Sequence, residues 1–176
     1  GIEPLWANLL PDGKRILYAG HEAGRPVRIF VQQMDDAKPR PVTPEGIELG
    51  SQGTLSFTSP AGDRFIGSGT NQVPLLCFVD GSPLRPIANL AAQDLILGWC
   101  ADGQSVFVAQ RNHWPYTVYK LDVMTGERSG SPVLQLNLPD GAGVIEHPWL
   151  LITPDTKSYL YTLRRLYSDE FLVEGL

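Results

Sequence analysis

Apolar and polar residues alternate over short stretches of this chain, and each stretch ends at a group of turn-forming residues. Four stretches share one plan, in which an apolar or aromatic segment enters a tight polar turn and an alternating segment leaves it. They are LWANLLPDGKRILYAG (5–20), LSFTSPAGDRFIGSG (55–69), LGWCADGQSVFVAQ (97–110) and WLLITPDTKSYLYTL (149–163). Alternation with a period of two is typical of strands, so the pattern predicts four copies of a β-hairpin.

The hairpins recur at a regular spacing. Their third turn residues, Gly13, Gly62, Gly103 and Thr156, are 49, 41 and 53 positions apart. Propeller blades repeat every ~40 to 50 residues. We therefore predict an all-β chain, a β-propeller of about four blades of antiparallel strands that is part of a larger ring. The chain is treated as a single domain, 1–176, with blades at approximately 5–50, 51–93, 94–142 and 143–176.

Further strands follow each hairpin. A third strand is predicted at 27–35, 75–81, 116–127 and 169–176, and a fourth at 40–43, 85–88 and 133–137. The fourth copy ends after its third strand, so we expect something else to cover that edge, because open edge strands associate. Dimerisation through open blade edges is one way to cover it.

The turns carry residues suited to hairpins. Asp12 and Gly13 in the first copy match Asp102 and Gly103 in the third, where the aspartate caps the turn and the glycine tolerates a positive φ. Asp155 takes the aspartate position in the fourth copy. Thr156 follows it, and because a β-branched residue resists positive φ, we expect a different shape for that turn.

Composition limits the partners and the location of the chain. With 43% apolar residues the chain can bury a sizeable core, and a net charge of -5 without a basic cluster argues against nucleic acid. Cys77 and Cys100 lie in apolar strands, as small buried thiols do, rather than in a disulfide. No apolar run reaches 18 residues, so we expect no membrane insertion of this chain.

Motifs for catalysis or for bound groups are missing from the sequence. It contains no GxSxG, GxxxxGK[ST] or HExxH motif. The histidines, His21, His113 and His147, fall in separate predicted loops. We therefore predict no catalytic, cofactor-binding or metal residues, no cofactor, and no enzymatic activity in this chain.

Two groups of aromatic residues receive different interpretations. Trp6, Trp99 and Trp149 recur where a strand enters its turn, which predicts packing between blades. His113, Trp114 and Tyr116 surround a proline between two strands, and form the candidate recognition loop because aromatic side chains dominate interface energetics. The alternative is that Trp114 packs on its own blade as core.

The units LLPDGKRILYAG and ITPDTKSYLYTLRR, each followed by an apolar strand ending in an acidic residue, resemble the repeat of TolB-like, WD-repeat-like propellers. The terminal stretch TPDTKSYLYTLRRLYSDEFLVEGL looks like the C-terminus of bacterial signalling proteins with a serine/threonine kinase or winged-helix domain, a membrane helix and a propeller. This resemblance implies a sensor propeller in an extracytoplasmic, periplasmic-side location.

Three functions are compatible with these observations. The first is a non-catalytic binding or sensor module that recognises a protein, peptide or glycan within a larger signalling protein. The second is half of a propeller-type hydrolase or lyase whose site forms in the channel. The third is a structural assembly surface.

Overall fold

A computed structural model of the chain describes residues 1–36, 38–49, 58–71, 73–90, 94–110, 115–137, 144, 150–166 and 168. Every secondary-structure element assigned in these residues is a β-strand, and the strands, β1 to β14, form antiparallel sheets. The predicted all-β class is therefore confirmed.

Three of the sheets have four strands each, and in each sheet the spatial order follows the chain order. The first contains β1 (Ile2–Leu9), β2 (Arg15–Glu22), β3 (Arg28–Gln33) and β4 (Arg40–Pro41). The second contains β5 (Glu48–Leu49), β6 (Arg64–Ser68), β7 (Pro74–Phe78) and β8 (Arg85–Pro86). The third contains β9 (Asp94–Trp99), β10 (Ser105–Gln110), β11 (Tyr116–Asp122) and β12 (Leu134–Leu136). We call these sheets blades 1, 2 and 3.

Blade 4 has two described strands, β13 (Leu150–Ile152) and β14 (Tyr159–Tyr161). The third strand predicted at 169–176 lies outside the described residues. The blade limits at 50/51, 93/94 and 142/143 stay predictions, although β5 already pairs in the second sheet at Glu48.

Both faces of the inner sheets are buried, and this explains their apolar runs. In β10, Val106 and Val108 point to one side while Phe107 and Ala109 point to the other, and all four are fully buried. A strand covered on both faces has no polar side to present to water. The sequence VFVA (106–109) is therefore a continuous apolar run rather than an alternation of apolar and polar residues.

Three apolar clusters fill the spaces between successive blades. One joins blade 1 to blade 2 through residues such as Leu17 and Phe65. The next joins blade 2 to blade 3 through Ile66 and Val106, and the last joins blade 3 to blade 4 through Phe107 and Leu150. The blades are therefore stacked face to face in series, as in a propeller.

The predictions for single residues have mixed outcomes. Cys77 and Cys100 are free and buried, as expected, and burial raises the pKa of each thiol to about 12. Trp99 is buried between blades, Trp6 is 38% exposed, and Trp149 lies outside the described residues. His21 was expected in a loop, but it belongs to strand β2 because the hairpin pairing extends to Glu22.

The described residues contain no helix that is long and apolar enough to cross a bilayer.

Candidate functional site

Four hairpin turns lie at the same end of the blades. Turns 1 to 4 comprise residues 10–15, 59–64, 100–105 and 153–158. In each, the first residue donates its N–H to the carbonyl five positions on, at 2.8 to 2.9 Å. Its own carbonyl accepts the N–H of the fourth residue of the turn, at 2.8 to 3.1 Å. The sequence repeat is thus also a repeat of backbone hydrogen bonds.

Aspartates cap three of these turns, among them the two turns whose Asp-Gly pairs predicted such a cap. Asp12 Oδ1 accepts the N–H of Lys14 at 2.9 Å and that of Arg15 at 3.1 Å. Asp102 Oδ1 accepts two amides at 2.8 Å, and Asp155 Oδ1 accepts the N–H of Lys157 at 3.1 Å. Hydrogen bonds to a carboxylate favour its charged form. They lower the pKa of Asp12 to about 2, the N–H of Lys14 being the largest cause.

Turn 2 reaches the same shape with a different cap. Ala61 occupies the aspartate position, and the Ser59 hydroxyl accepts the N–H of Arg64 at 3.2 Å while donating to Asp63 at 2.7 Å. Burial alone would raise the pKa of Asp63. The hydrogen bonds from Ser59 and Arg64 outweigh that effect and lower it.

The expectation that turn 4 has a different shape is wrong. Thr156 has a φ of 63°, which matches the 67°, 68° and 64° of Gly13, Gly62 and Gly103. Its N–H also makes the same bond, donating to the Thr153 carbonyl at 2.8 Å. The repeated hydrogen bonds of the hairpin therefore override the preference of a β-branched residue for negative φ.

Neighbouring turns touch and form an arc. The N–H of Ala101 in turn 3 donates to the carbonyl of Pro154 in turn 4 at 3.0 Å. A Cβ added to Gly62 in turn 2 would lie 2.8 Å from Pro11 Cδ in turn 1. Gly62 is therefore required by the close approach as well as by its φ.

A cleft of about 540 Å³ opens beside this arc. It is lined by Pro11 and by residues 58–60, 97–99, 151–154 and 158–160, which come from all four blades. Its walls are the first strands of blades 3 and 4, β9 and β13, together with the start of β14. Pockets of this volume are typical of small-ligand and peptide sites.

A β-bulge shapes the part of the cleft formed by β9. Gly98 pairs with Phe107 and Ile96 with Val108, so Leu97 is an extra residue in the strand. Gly98 has a φ of 153°, and a Cβ added there would meet no atom within 4 Å. Bulges and glycines inside strands often mark a close approach by a ligand. Gly98 therefore leaves open space in the wall of the cleft.

The lining is mostly apolar, and two of its hydroxyls already have partners. The Ser59 hydroxyl donates to Asp63, and the Thr153 hydroxyl donates to Asp155 at 2.7 Å. Tyr159 and Leu160 stand exposed at the rim. The lining residues include no carboxylate, histidine, lysine or arginine. This arrangement suits the binding of an uncharged, apolar group better than acid–base chemistry.

The candidate recognition loop is only partly described. Tyr116 begins strand β11 and is 1% exposed, so its side chain lies in the core between blades 3 and 4 rather than at a surface. His113 and Trp114 lie outside the described residues, so their role in recognition stays a prediction. Metal sites were not expected, and the described residues contain no group of three or more potential ligands.

The sequence reading missed the cleft, because its residues come from four separate repeats. The one local signal was Gly98, a glycine between apolar strand residues. The sequence around Gly98 resembles that of an ordinary strand, because the bulge arises only from the pairing of β9 with β10.

No protein-family model matches the chain, and no curated protein matches it in sequence. Solved structures do match. TolB from Acinetobacter baumannii aligns over 96% of this chain and 39% of its own, with 16% identity and a TM-score of 0.60. The chain has the fold of TolB-like β-propellers.

Enzymes share this fold. A prolyl endopeptidase structure aligns over 93% of the chain and 26% of its own length, at 11% identity and a TM-score of 0.59. An oligogalacturonate lyase from Vibrio parahaemolyticus aligns over 90% and 44%, at 15% identity and a TM-score of 0.57. The chain therefore spans less than half of each of these structures, and at such identities the likeness concerns the fold alone.

Proposed function

We propose that this chain is a non-catalytic binding module, and that the cleft beside the hairpin turns holds an apolar segment of a peptide or protein partner. The single observation that carries the proposal is the cleft itself. It has the volume of a ligand site, walls from β9 and β13, open space at Gly98, and no ionisable side chain except that of Tyr159.

A peptide fits this lining better than a glycan. A sugar needs polar groups to replace the water around its hydroxyls, and the Ser59 and Thr153 hydroxyls already bond to turn aspartates. The indole of Trp99 is buried, so its face is not offered for stacking on a sugar. An apolar side chain needs only a dry pocket, and its burial is favourable by ~25 cal/mol per Å².

A charge at the rim tests the site without disturbing the fold. Ser158 lines the cleft and is the sixth residue of turn 4, a position that Arg15 holds in turn 1 and Arg64 in turn 2. The hairpin therefore accepts arginine there. Ser158→Arg places a bulky cation beside the apolar lining.

The probes are peptides selected from a random library displayed on phage against the immobilised chain. We expect apolar peptides, whose affinity for Ser158→Arg falls at least about tenfold, or about 1.4 kcal/mol, by fluorescence anisotropy. The matched control is Ser105→Arg, the same position of turn 3, which does not line the cleft. Recovery of no peptide, or equal loss in both variants, would contradict the proposal.

The enzymatic alternative rests on fold likeness to a peptidase and a lyase. It predicts turnover of peptide or polysaccharide substrates, and the lining of the cleft supplies no carboxylate, histidine or lysine for that chemistry. A panel of such substrates, incubated with the full-length protein, separates the two functions.

The wider context is part of the proposal. On the resemblance of its terminal stretch, we place the chain in a bacterial signalling protein with a serine/threonine kinase or winged-helix domain, with the propeller extracytoplasmic. The recognised partner would then be a protein or peptide outside the cytoplasm. The sequence of the complete protein tests this placement.

A further inference from the structure

The four hairpin turns differ at their second residue, and this difference affects how each turn meets the next. The second residue is Pro11 in turn 1, Pro60 in turn 2 and Pro154 in turn 4, but it is Ala101 in turn 3. Proline has no N–H, because its ring carbon Cδ is bonded to the nitrogen in place of the hydrogen. Ala101 is therefore the one second residue in the four described turns that can donate a backbone hydrogen bond.

The proline ring of one turn lies against the glycine of the next turn. A Cβ added to Gly62 would lie 2.8 Å from Pro11 Cδ, and a Cβ added to Gly103 would lie 3.9 Å from Pro60 Cδ. The first distance is too short for a real Cβ, and the second is an ordinary van der Waals contact. A side chain in place of glycine therefore meets the proline of the preceding turn, closely in turn 2 and loosely in turn 3.

Turns 3 and 4 meet in a different way. The N–H of Ala101 donates to the carbonyl of Pro154 at 3.0 Å. This N–H points where a proline at position 101 would place its Cδ. Turn 4 is also the one described turn whose fourth residue, Thr156, carries a Cβ. Alanine and threonine are thus combined here, where the earlier turns combine proline with glycine.

The bond between Ala101 and Pro154 lies at the end of the candidate cleft. Trp99, two residues before Ala101, lines the cleft, and so does Pro154. We propose that the amide of Ala101 positions the two walls of the cleft, β9 and β13, at the separation that a bound peptide requires. Ala101 is absent from the lining, so it acts through the residues that form it.

Preorganisation explains why such a bond matters for binding. Walls that are already held in place do not have to be ordered when a ligand binds, so less of the interaction energy is lost. The inference rests on the proposed function, because it assigns a positioning role at the same cleft.

Proline at position 101 removes the N–H and introduces a ring that the other three turns already contain. Ala101→Pro alone places this ring towards the Cβ of Thr156, so we expect a lower midpoint of thermal unfolding. The double variant Ala101→Pro, Thr156→Gly recreates the proline–glycine combination of the earlier turns and should recover the midpoint. The double variant therefore lacks the bond without losing stability.

Affinity for an apolar peptide from the phage selection separates positioning from stability. The double variant should bind it about three- to tenfold more weakly than the unaltered chain in fluorescence anisotropy, as expected for the loss of one hydrogen bond. Ala101→Ser, which keeps the N–H, and the matched control Thr156→Gly should bind as tightly as the unaltered chain. Unchanged affinity of the double variant, or a similar loss in either single variant, would overturn the proposal.

Hydrogen exchange of the Ala101 amide needs no peptide, so it distinguishes failure of this inference from failure of the proposed function. We expect slow exchange in the unaltered chain, because the N–H is hydrogen-bonded. Fast exchange in a chain that binds the peptide would overturn the inference alone. Slow exchange in a chain that binds no peptide would contradict the proposed function and leave Ala101 with no site to position.

Discussion

Phe107 and Leu160 occupy the same position of the repeat and have opposite surroundings. Phe107, in blade 3, is fully buried against blade 4, whereas Leu160, in blade 4, is 64% exposed. Each follows its own hairpin turn, Phe107 after turn 3 and Leu160 after turn 4, and each lies in the second strand of its hairpin. The local sequence thus makes the strand and selects an apolar residue. Whether that residue is buried depends on the neighbouring blade.

Alanine at these two positions should produce the largest difference in stability. Phe107→Ala removes a fully buried ring, so we expect the free energy of unfolding to fall by about 3–5 kcal/mol. Leu160→Ala removes an exposed side chain and should change it by less than about 0.5 kcal/mol. Urea unfolding of the two variants and of the unaltered chain measures both changes in the free energy of unfolding. Equal losses would mean that the two blades have the same surroundings.

The turns give a smaller contrast of the same kind, because Thr156 has the positive φ that glycine has in the other three. Thr156→Gly relieves this strain and should stabilise the chain by about 1 kcal/mol. Gly103→Thr introduces the strain in turn 3 and should destabilise it by about 1–2 kcal/mol. Thermal unfolding of the two variants provides the measurement. A loss of stability in Thr156→Gly would mean that the threonine side chain holds the turn.

The charged caps should have the smallest effect on stability, and the pH dependence of that effect is confined to acid. The pKa of Asp12 falls from an ordinary 3.8 to about 2 in the folded chain, so the folded state binds its proton less tightly than the unfolded state. The resulting stabilisation is present above about pH 4 and is lost as the pH falls towards 2.

Asparagine at position 12 keeps the hydrogen-bond acceptor and removes the charge. Asp12→Asn should therefore flatten the part of the acid unfolding curve between about pH 4 and 2, as measured by urea midpoints across that range. Asp12→Ala, which also removes the acceptor, should be less stable than Asp12→Asn at every pH. Parallel curves for Asp12→Asn and the unaltered chain would show that the charge of Asp12 adds nothing.

Much of the fold could be predicted from the sequence, since each hairpin is encoded locally. Alternating strands and the Asp-Gly pairs of turns 1 and 3 identified the blades because strand pairing and turn chemistry act within about ten residues. Thr156 escaped this reasoning. The preference of threonine for a negative φ is weaker than the hydrogen bonds that the whole hairpin makes. Those bonds cannot be inferred from the identity of a single residue.

The candidate site could not be predicted in the same way. Pro11 and Leu151 are far apart in the sequence, and they line one cleft only because the blades are stacked. Tyr116 shows the opposite error. As an aromatic residue next to a loop it was predicted to take part in recognition, but its side chain lies in the core. Exposure, which decides between recognition and packing, depends on contacts between repeats.

The most direct test of the central claim is to map the bound peptide on the chain. Amide NMR spectra of the isotope-labelled chain, titrated with a selected apolar peptide, report which backbone groups it approaches. We predict the largest shifts in residues 97–99 and 151–153, with Gly98 prominent among them. Shifts confined to residues outside the cleft, such as those of β3 and β4 in blade 1, would contradict the account.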